Sequence, residues 1–177
     1  MVRLYNALTS SLLLTTLTTV THALNIQDTL TKRPELSTFL NILNENPALL
    51  DVMNSAGGGP KVTVFAPSND AINTTDIRTL ETGTQQALFR YHILNGSYPA
   101  SALSVEGGQT LKTLLASDLY ARLGQGEPNV VFASKFGSMG VGEPMAKPVI
   151  YTGLGVQAAL EAVDIEYDAG VIHVVQS

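Results

Sequence analysis

The stretch Lys61–Ala71, KVTVFAPSNDA, changes character abruptly at Pro67. Its first half is short, apolar and β-branched, which is typical of a buried strand. Pro67 fixes its own φ and lacks a backbone N–H, so we expect the strand to end there. The short polar side chains that follow, Ser68, Asn69 and Asp70, bind nearby backbone N–H groups in turns and helix caps. The stretch therefore predicts a buried strand that leads directly into a turn or a capped helix.

Two later motifs complete a pattern that resembles a known family. The string TVFAPSNDA resembles the first signature box of the fasciclin-type domain, an extracellular adhesion module. The pair Tyr91-His92 resembles that family's Tyr-His motif, and Gly170–Val175, GVIHVV, resembles its second box. The matches stand in family order across Leu24–Ser177. The motif residues that carry the resemblance are Thr63, Phe65, Ala66, Pro67, Asn69, Asp70, Gly170, Ile172 and His173.

The resemblance implies an α+β fold, a wedge-shaped β-sandwich with several packed helices, in which the two boxes are neighbouring core strands. The residue pattern leads to the same class, because helical periodicity comes first in the chain and short strands come later. Both boxes are apolar and β-branched, and neither can bury both of its faces alone. We therefore expect Val62 or Val64 to pack in the same core as Ile172 or Val174.

Helix start signals recur in the first half of the chain, and glycines and prolines punctuate strand-like runs in the second. Helices are predicted to begin at Pro34, Asn46-Pro47, Thr74–Asp76 and Thr82. Thr82 and Gln85 have the spacing of a capping box, which predicts a helix that runs to Tyr91. The predicted strands of the second half are Thr110–Leu115, Val130–Ala133, Val149–Thr152, Val156–Ala159, Ala162–Ile165 and Val171–Val175.

The N-terminal residues Met1–Ala23 resemble a secretory leader. Arg3 supplies the charged start, a leucine-rich centre follows, and Thr21-His22-Ala23 places small residues where a signal peptidase cleaves. The apolar run is far shorter than the ~20 residues of a membrane-spanning helix, so we expect no membrane span. A leader that is retained as an N-terminal helix is the alternative. Cleavage would leave residues 24–177 as a single fasciclin-type domain.

The C-terminal end departs from the family pattern. Family members usually continue beyond the second box through a short apolar tail, whereas this sequence stops at Ser177, directly after the box. A domain truncated at its C-terminal end is therefore one expectation. The sequence given also lacks the hydrophobic tail of a lipid-anchor signal. Ala169, before the second box, stands where the family often has Asn.

The composition argues against several classes of function. The chain of 177 residues has no cysteine, so disulfides, thiolate metal sites and cysteine nucleophiles are excluded. Its net charge is −5, and Lys32-Arg33 is its only adjacent basic pair, so a nucleic-acid-binding surface is not expected. Outside the leader the histidines are His92 and His173, too few for a catalytic zinc site. No G-x-S-x-G is present, and Ser68 is interpreted as a turn or capping serine. We predict no catalysis, no metal and no cofactor.

The Tyr91-His92 pair has two interpretations. The structural one is a half-buried aromatic residue and a histidine that fasten a helix to a strand through hydrogen bonds. The functional one comes from the family, in which the Tyr-His region of some animal members contributes to integrin-dependent adhesion. For the protein as a whole, the alternative to adhesion is an enzyme or small-molecule-binding accessory protein on the same fold, with Tyr91, His92 and a neighbouring acid as acid–base groups. A deep polar pocket around His92 would favour that alternative, and a flat surface would favour adhesion.

Two N-glycosylation sequons lie in predicted surface turns, at Asn73-Thr74-Thr75 and Asn95-Gly96-Ser97. Together with the leader they indicate an exported glycoprotein. The sequence therefore predicts a secreted or cell-surface module that binds a surface or matrix protein or glycan, without catalysis. Homophilic binding is one form that this contact could take. We expect an extracellular location, in a cell wall or matrix or at the cell surface.

Overall fold

The structure is a computed structural model that describes residues 24–54, 61–73, 77–117, 119–120, 127–135, 148–152 and 156–176. The predicted leader and the predicted cap at 74–76 lie outside these residues. The α-helices are α1 Ile26–Thr31, α2 Ser37–Glu45, α3 Pro47–Asn54, α4 Asn69–Asn73, α5 Thr82–Tyr91 and α6 Ala100–Leu103. Within the described part, single-turn 3₁₀ segments precede α2 and α5, at Pro34–Leu36 and Ile77–Thr79. The strands are β1 Val62–Pro67, β2 Ile93–Asn95, β3 Gln109–Lys112, β4 Val130–Lys135, β5 Pro148–Tyr151, β6 Gln157–Tyr167 and β7 Gly170–Gln176.

All seven described strands belong to one sheet, in the order β2-β1-β7-β6-β5-β4-β3. Only β1 and β7 run parallel, and the other neighbours pair antiparallel. The two ends of the sheet meet, because Leu94 forms a bridge with Thr113 and Leu114 N–H donates to the Ile93 carbonyl at 2.7 Å. The sheet therefore curls into a nearly closed barrel with helices packed against it. This architecture confirms the predicted α+β class.

Side chains on the two faces of the sheet form two separate cores. Alternate residues of a strand point to opposite faces, and β1 illustrates the division. Val64 packs with the helices, whereas Phe65 packs inside the curled sheet, where every strand contributes. Val62, Val64, Ile172 and Val174 all belong to the helix-side core, so the prediction that the two boxes share one core is confirmed.

Some elements differ from those that the sequence predicted. Helix α1 was not expected; its Asn25 side chain accepts a hydrogen bond from Asp28 N–H at 2.8 Å and caps it. The two runs predicted as separate strands between Val156 and Ile165 form one strand, β6, whose register shifts at bulges. A bulge admits an extra residue without ending a strand, so it breaks the alternation that sequence patterns rely on.

The predicted capping box at Thr82 is wrong. The N-cap residue of α5 is Glu81, and no side chain caps it. The Gln85 amide instead donates to the carbonyls of Ile77, at 3.1 Å, and Leu80, at 2.9 Å. The two carbonyls lie in the preceding 3₁₀ turn and directly after it. They bind the amide that a capping box would use.

Truncating Ile172 tests the helix-side core. Ile172 is 0% exposed, so Ile172→Ala should lower the free energy of unfolding by about 2–5 kcal/mol, because lost transfer energy and a new cavity add. Urea unfolding measures this value. The matched control is Val156→Ala at a side chain that is 57% exposed, which should change stability by less than about 0.5 kcal/mol. Equal effects of the two variants would contradict the assignment of β7 to the core.

Candidate functional site

The two signature boxes meet around the segment that follows β2. Thr63 is 0% exposed, and its hydroxyl donates to the Gly96 carbonyl and accepts from Tyr98 N–H, both at 2.8 Å. From the neighbouring strand β7, His173 donates through Nε2 to the Tyr98 carbonyl at 2.8 Å. One residue of each box therefore fixes the same short segment, which we call the clamped segment, Gly96–Tyr98.

His173 is the most constrained side chain of this group. It is 0% exposed, and its Nδ1 accepts a hydrogen bond from Asp164 N–H at 3.2 Å. Because Nδ1 accepts and Nε2 donates, the ring is the neutral tautomer with its proton on Nε2. Burial lowers the pKa of His173, against the opposing effects of the Tyr98 carbonyl and the Asp164 carboxylate. His173 is therefore a core residue of the domain.

Asp164 extends the same network and was missed by sequence reasoning. It has a φ of 58° at the register shift of β6, and its carboxylate accepts a hydrogen bond from Ala100 N–H at 2.8 Å. That N–H is the first of α6, which has no other side-chain cap. The available signal was an acidic residue inside an otherwise apolar run, since an Asp tolerates the left-handed conformation that a bulge requires.

Asn69 of the first box caps a distant helix. Its carboxamide oxygen accepts from Thr38 N–H at 2.9 Å, and its nitrogen donates to the Pro34 carbonyl at 2.9 Å. The local N-cap residue of α2, Leu36, provides no side-chain bond, so Asn69 fulfils that role across 31 residues. The neighbouring Ser68 accepts from Ala71 N–H at 3.3 Å, which confirms it as a capping serine. Asp70 is exposed in the first turn of α4, where a carboxylate is favourable to the helix dipole.

The remaining motif residues shape the contact between the boxes. Ala66 is fully buried, and Pro67 is the last residue of β1, opposite Val175. At the other end of the strand pair, a Cβ on Gly170 would lie 1.8 Å from the Val62 carbonyl oxygen. A glycine is therefore required at this position, because any side chain would push β7 away from β1.

Tyr91 and His92 lie at the end of α5 and join it to the sheet. The His92 Nδ1 donates to the Leu88 carbonyl at 2.8 Å, and its own carbonyl accepts from Phe65 N–H at 2.8 Å. The Tyr91 hydroxyl donates to the Val130 carbonyl at 3.4 Å. Burial lowers the pKa of His92, and the Leu88 carbonyl opposes that shift. These contacts fit the structural interpretation, in which the pair fastens a helix to a strand through hydrogen bonds.

Two surface depressions stand out among the described residues. The larger, about 380 Å³, is lined in part by Lys61, Ser97, Asp164 and Glu166. The smaller, about 240 Å³, lies between α5 and residues 115–117 and 120. Neither is lined by Tyr91 or His92. In the part of the chain that the structure describes, no group of three His, Asp or Glu side chains could hold a metal. None of the described helices has the length and hydropathy of a membrane-spanning segment.

Both predicted glycosylation asparagines are exposed. Asn73 is the last residue of α4 and Asn95 the last residue of β2, so each lies where an element ends at the surface. A glycan at either position would extend into solvent without displacing a core side chain. The occupancy of the two sequons stays a prediction.

Comparison with known proteins now identifies the family. The profile described as Fasciclin domain matches residues 34–177. The chain belongs to the fasciclin domain family. Fasciclin domains are adhesion modules associated with extracellular proteins. A curated relative, the fasciclin-like arabinogalactan protein elcF of Phaeosphaeria nodorum, is 27% identical over 159 residues. The match covers 87% of this chain and 46% of that protein. The chain thus spans about half the length of that relative.

A solved structure gives the same fold. It is the FAS1 domain pair from the insect cell adhesion molecule fasciclin I, matched with a TM-score of 0.59 at 20% identity. The match covers 82% of this chain and 45% of that one. The seven-stranded, nearly closed sheet with packed helices is therefore the fold of a fasciclin domain.

The lowered pKa values of His92 and His173 predict a loss of stability in mild acid. Both folded-state pKa values lie below the unfolded value of about 6.5. Below that pH the unfolded chain therefore binds protons that the folded protein does not, and stability falls as the pH drops towards the folded pKa values. The slope approaches about 1.4 kcal/mol per pH unit for each histidine.

Urea unfolding between pH 7.5 and 5.5 measures that slope. The double variant His92→Gln/His173→Gln is the control, and its stability should depend less on pH over this window, whatever its absolute value. A wild-type protein whose stability is constant or increases on acidification through this window would contradict the assignment.

Proposed function

We propose that this chain is an exported adhesion module that binds a cell-surface or matrix protein or glycan and catalyses no reaction. The observation that carries the proposal is the use of the motif side chains. The Thr63 hydroxyl, the Asn69 amide, the His92 Nδ1 and the His173 ring bind backbone groups of the same chain, which leaves these groups little freedom to act on a substrate. Binding would then take place at the outer surface of the domain.

The alternative of an enzyme that uses Tyr91 and His92 has less support. An acid–base pair must reach its substrate, usually in a concave site. The described depressions lie elsewhere, and His92 already donates its Nδ1 proton to Leu88. Contact of this region with a partner remains compatible with the geometry, because both side chains are only half-buried.

Export is part of the proposal. The leader-like residues 1–23 and the exposed Asn73 and Asn95 support a route through the secretory pathway. The protein would then act outside the cell, at the cell surface or in a wall or matrix. Expression of the full chain in a secreting eukaryotic host supplies the material for the test, and intact mass spectrometry of the medium should find a product that begins at Leu24. A product that retains residues 1–20 would contradict cleavage.

The adhesion assay uses that secreted product. Beads coated with it should attach to cells or to wall and matrix extract more than beads coated with a heat-unfolded sample. His92→Ala should reduce attachment only as far as it reduces the folded fraction, since it removes a structural bond worth about 1–3 kcal/mol. Absence of attachment by the folded wild-type protein would contradict the adhesive function. A folded His92→Ala variant that no longer attaches would make His92 a contact residue.

A further inference from the structure

A row of four side chains crosses the outer face of the sheet from β3 to β6. In register across the four strands, Thr110 lies opposite Phe132, Phe132 opposite Tyr151, and Tyr151 opposite Gln157. Directly paired residues point to the same face. The interior of the barrel takes the alternate residues, such as Val131 and Ile150. The four side chains, which we call the aromatic row, therefore project outward together, with the rings in the middle and a polar group at each end.

The described helices leave this part of the sheet uncovered. The strand residues of the helix-side core come from β1, β2, β7 and β6, and none comes from β3, β4 or β5. Phe132 is 39% exposed, and Thr110 and Gln157 are exposed. Two further exposed apolar side chains, Val105 and Val156, lie in the turns beside the row. Exposed apolar side chains that lie near one another commonly mark a binding surface.

The two rings are held in place by their surroundings. Their centroids lie 6.2 Å apart, and their planes are tilted by 55°. The tip of the Phe132 ring rests on Gly108, where a Cβ would come within 2.0 Å of it. The next row along the sheet is small, with Ser134, Val149 and Ala159 in register, so the rings stand above their neighbours. The two rings of the aromatic row thus form a preorganised ridge on the surface of the sheet, with their planes tilted relative to each other.

The chemistry of the row favours a sugar chain over a protein. A pyranose ring offers an apolar face of C–H groups, which packs on the face of an aromatic ring, and hydroxyls around its rim. The hydroxyls of Thr110 and Tyr151 and the amide of Gln157 form no hydrogen bond within the described residues, so they are available to those rim hydroxyls. A protein interface of this type would more often include an Arg, and the row has none.

The lack of charged side chains in the row favours a neutral sugar over an anionic one. At neutral pH the aromatic row and the small row beside it carry no charge, although the chain as a whole has a net charge of −5. Lys112, an exposed base, lies two residues from Thr110 along β3, and Glu161, an exposed acid, lies four residues from Gln157 along β6. Such a surface neither attracts nor orients an anionic polysaccharide. The tilt between the rings also fits a single twisted chain better than the flat face of a crystalline polymer.

We infer that the aromatic row, Thr110–Phe132–Tyr151–Gln157, binds a soluble neutral polysaccharide whose sugar rings pack on Phe132 and Tyr151. The inference rests on the proposed adhesive function and deepens it by naming the class of partner. It requires no conformational change, because the Phe132 ring is exposed and the Tyr151 ring beside it is only half-buried. The polar ends of the row set the orientation of the chain through its hydroxyls.

The test is isothermal titration of the secreted protein with laminarin and with glucomannan as neutral probes. Polygalacturonate is the anionic probe, and sedimentation with crystalline cellulose tests a flat surface. Phe132→Ala and Tyr151→Ala should each weaken binding of a neutral probe at least about tenfold. Thr110→Val and Gln157→Ala should weaken it less. Leu119→Ala, at an apolar side chain that is 80% exposed outside the row, is the matched control and should leave binding unchanged.

Circular dichroism and thermal unfolding establish that each variant is folded. If Phe132→Ala is not folded, Phe132→Leu replaces it, because leucine fills the position over Gly108 without an aromatic face. Loss of binding in folded ring variants but not in Leu119→Ala supports the inference. A wild-type Kd weaker than about 1 mM for both neutral probes overturns it, as does binding that survives removal of both rings. A protein that attaches in the adhesion assay yet binds neither probe contradicts this inference alone, whereas a protein that binds a probe yet never attaches contradicts the adhesive function alone.

Discussion

The parallel pairing of β1 with β7 is the constraint on which the rest of the structure depends. It joins six residue pairs in register, from Val62 opposite Gly170 to Pro67 opposite Val175. The two strands lie between β2 and β6 in the sheet. Their successive side chains point to opposite faces, so each strand contributes to both cores. The close approach at Gly170 sets the start of the pairing, since any larger residue would collide with the Val62 carbonyl. Removing this pair would open both cores together.

The polar residues of the two boxes attach neighbouring segments to the core that the apolar residues form. A buried polar group is costly unless it is hydrogen-bonded, and the buried Thr63 and His173 side chains both bind backbone groups. Thr63 and His173 fix the clamped segment, and Asn69 caps α2 from a distance. The signature boxes therefore contribute to folding first. This division leaves the outer surface, including the aromatic row, free to change without loss of the fold.

Sequence patterns predicted the features that depend on local chemistry. The strand that stops at Pro67, the cap at Ser68 and the common core of Val64 and Ile172 all follow from residue type and alternation. They could not predict the partner of Asn69, because its helix lies 31 residues away, or the bulge at Asp164, which depends on how β6 pairs with β7. The aromatic row was equally hidden, since register between strands decides which side chains stand together. The Tyr91-His92 pair was assigned two roles because its motif alone does not show the bonds to Leu88 and Val130.

The central claim is that the paired boxes open only when the whole domain unfolds, and native-state hydrogen exchange tests it most directly. The N–H groups of Val62, Phe65 and Ser68 donate to the carbonyls of Ala169, His92 and Val175. Their exchange free energies should equal the free energy of global unfolding and fall with urea at the same slope. The exposed N–H of Val156, which donates to the Thr152 hydroxyl, should exchange through local opening at much lower cost. Exchange of the three box amides at a lower, urea-independent free energy would contradict the account.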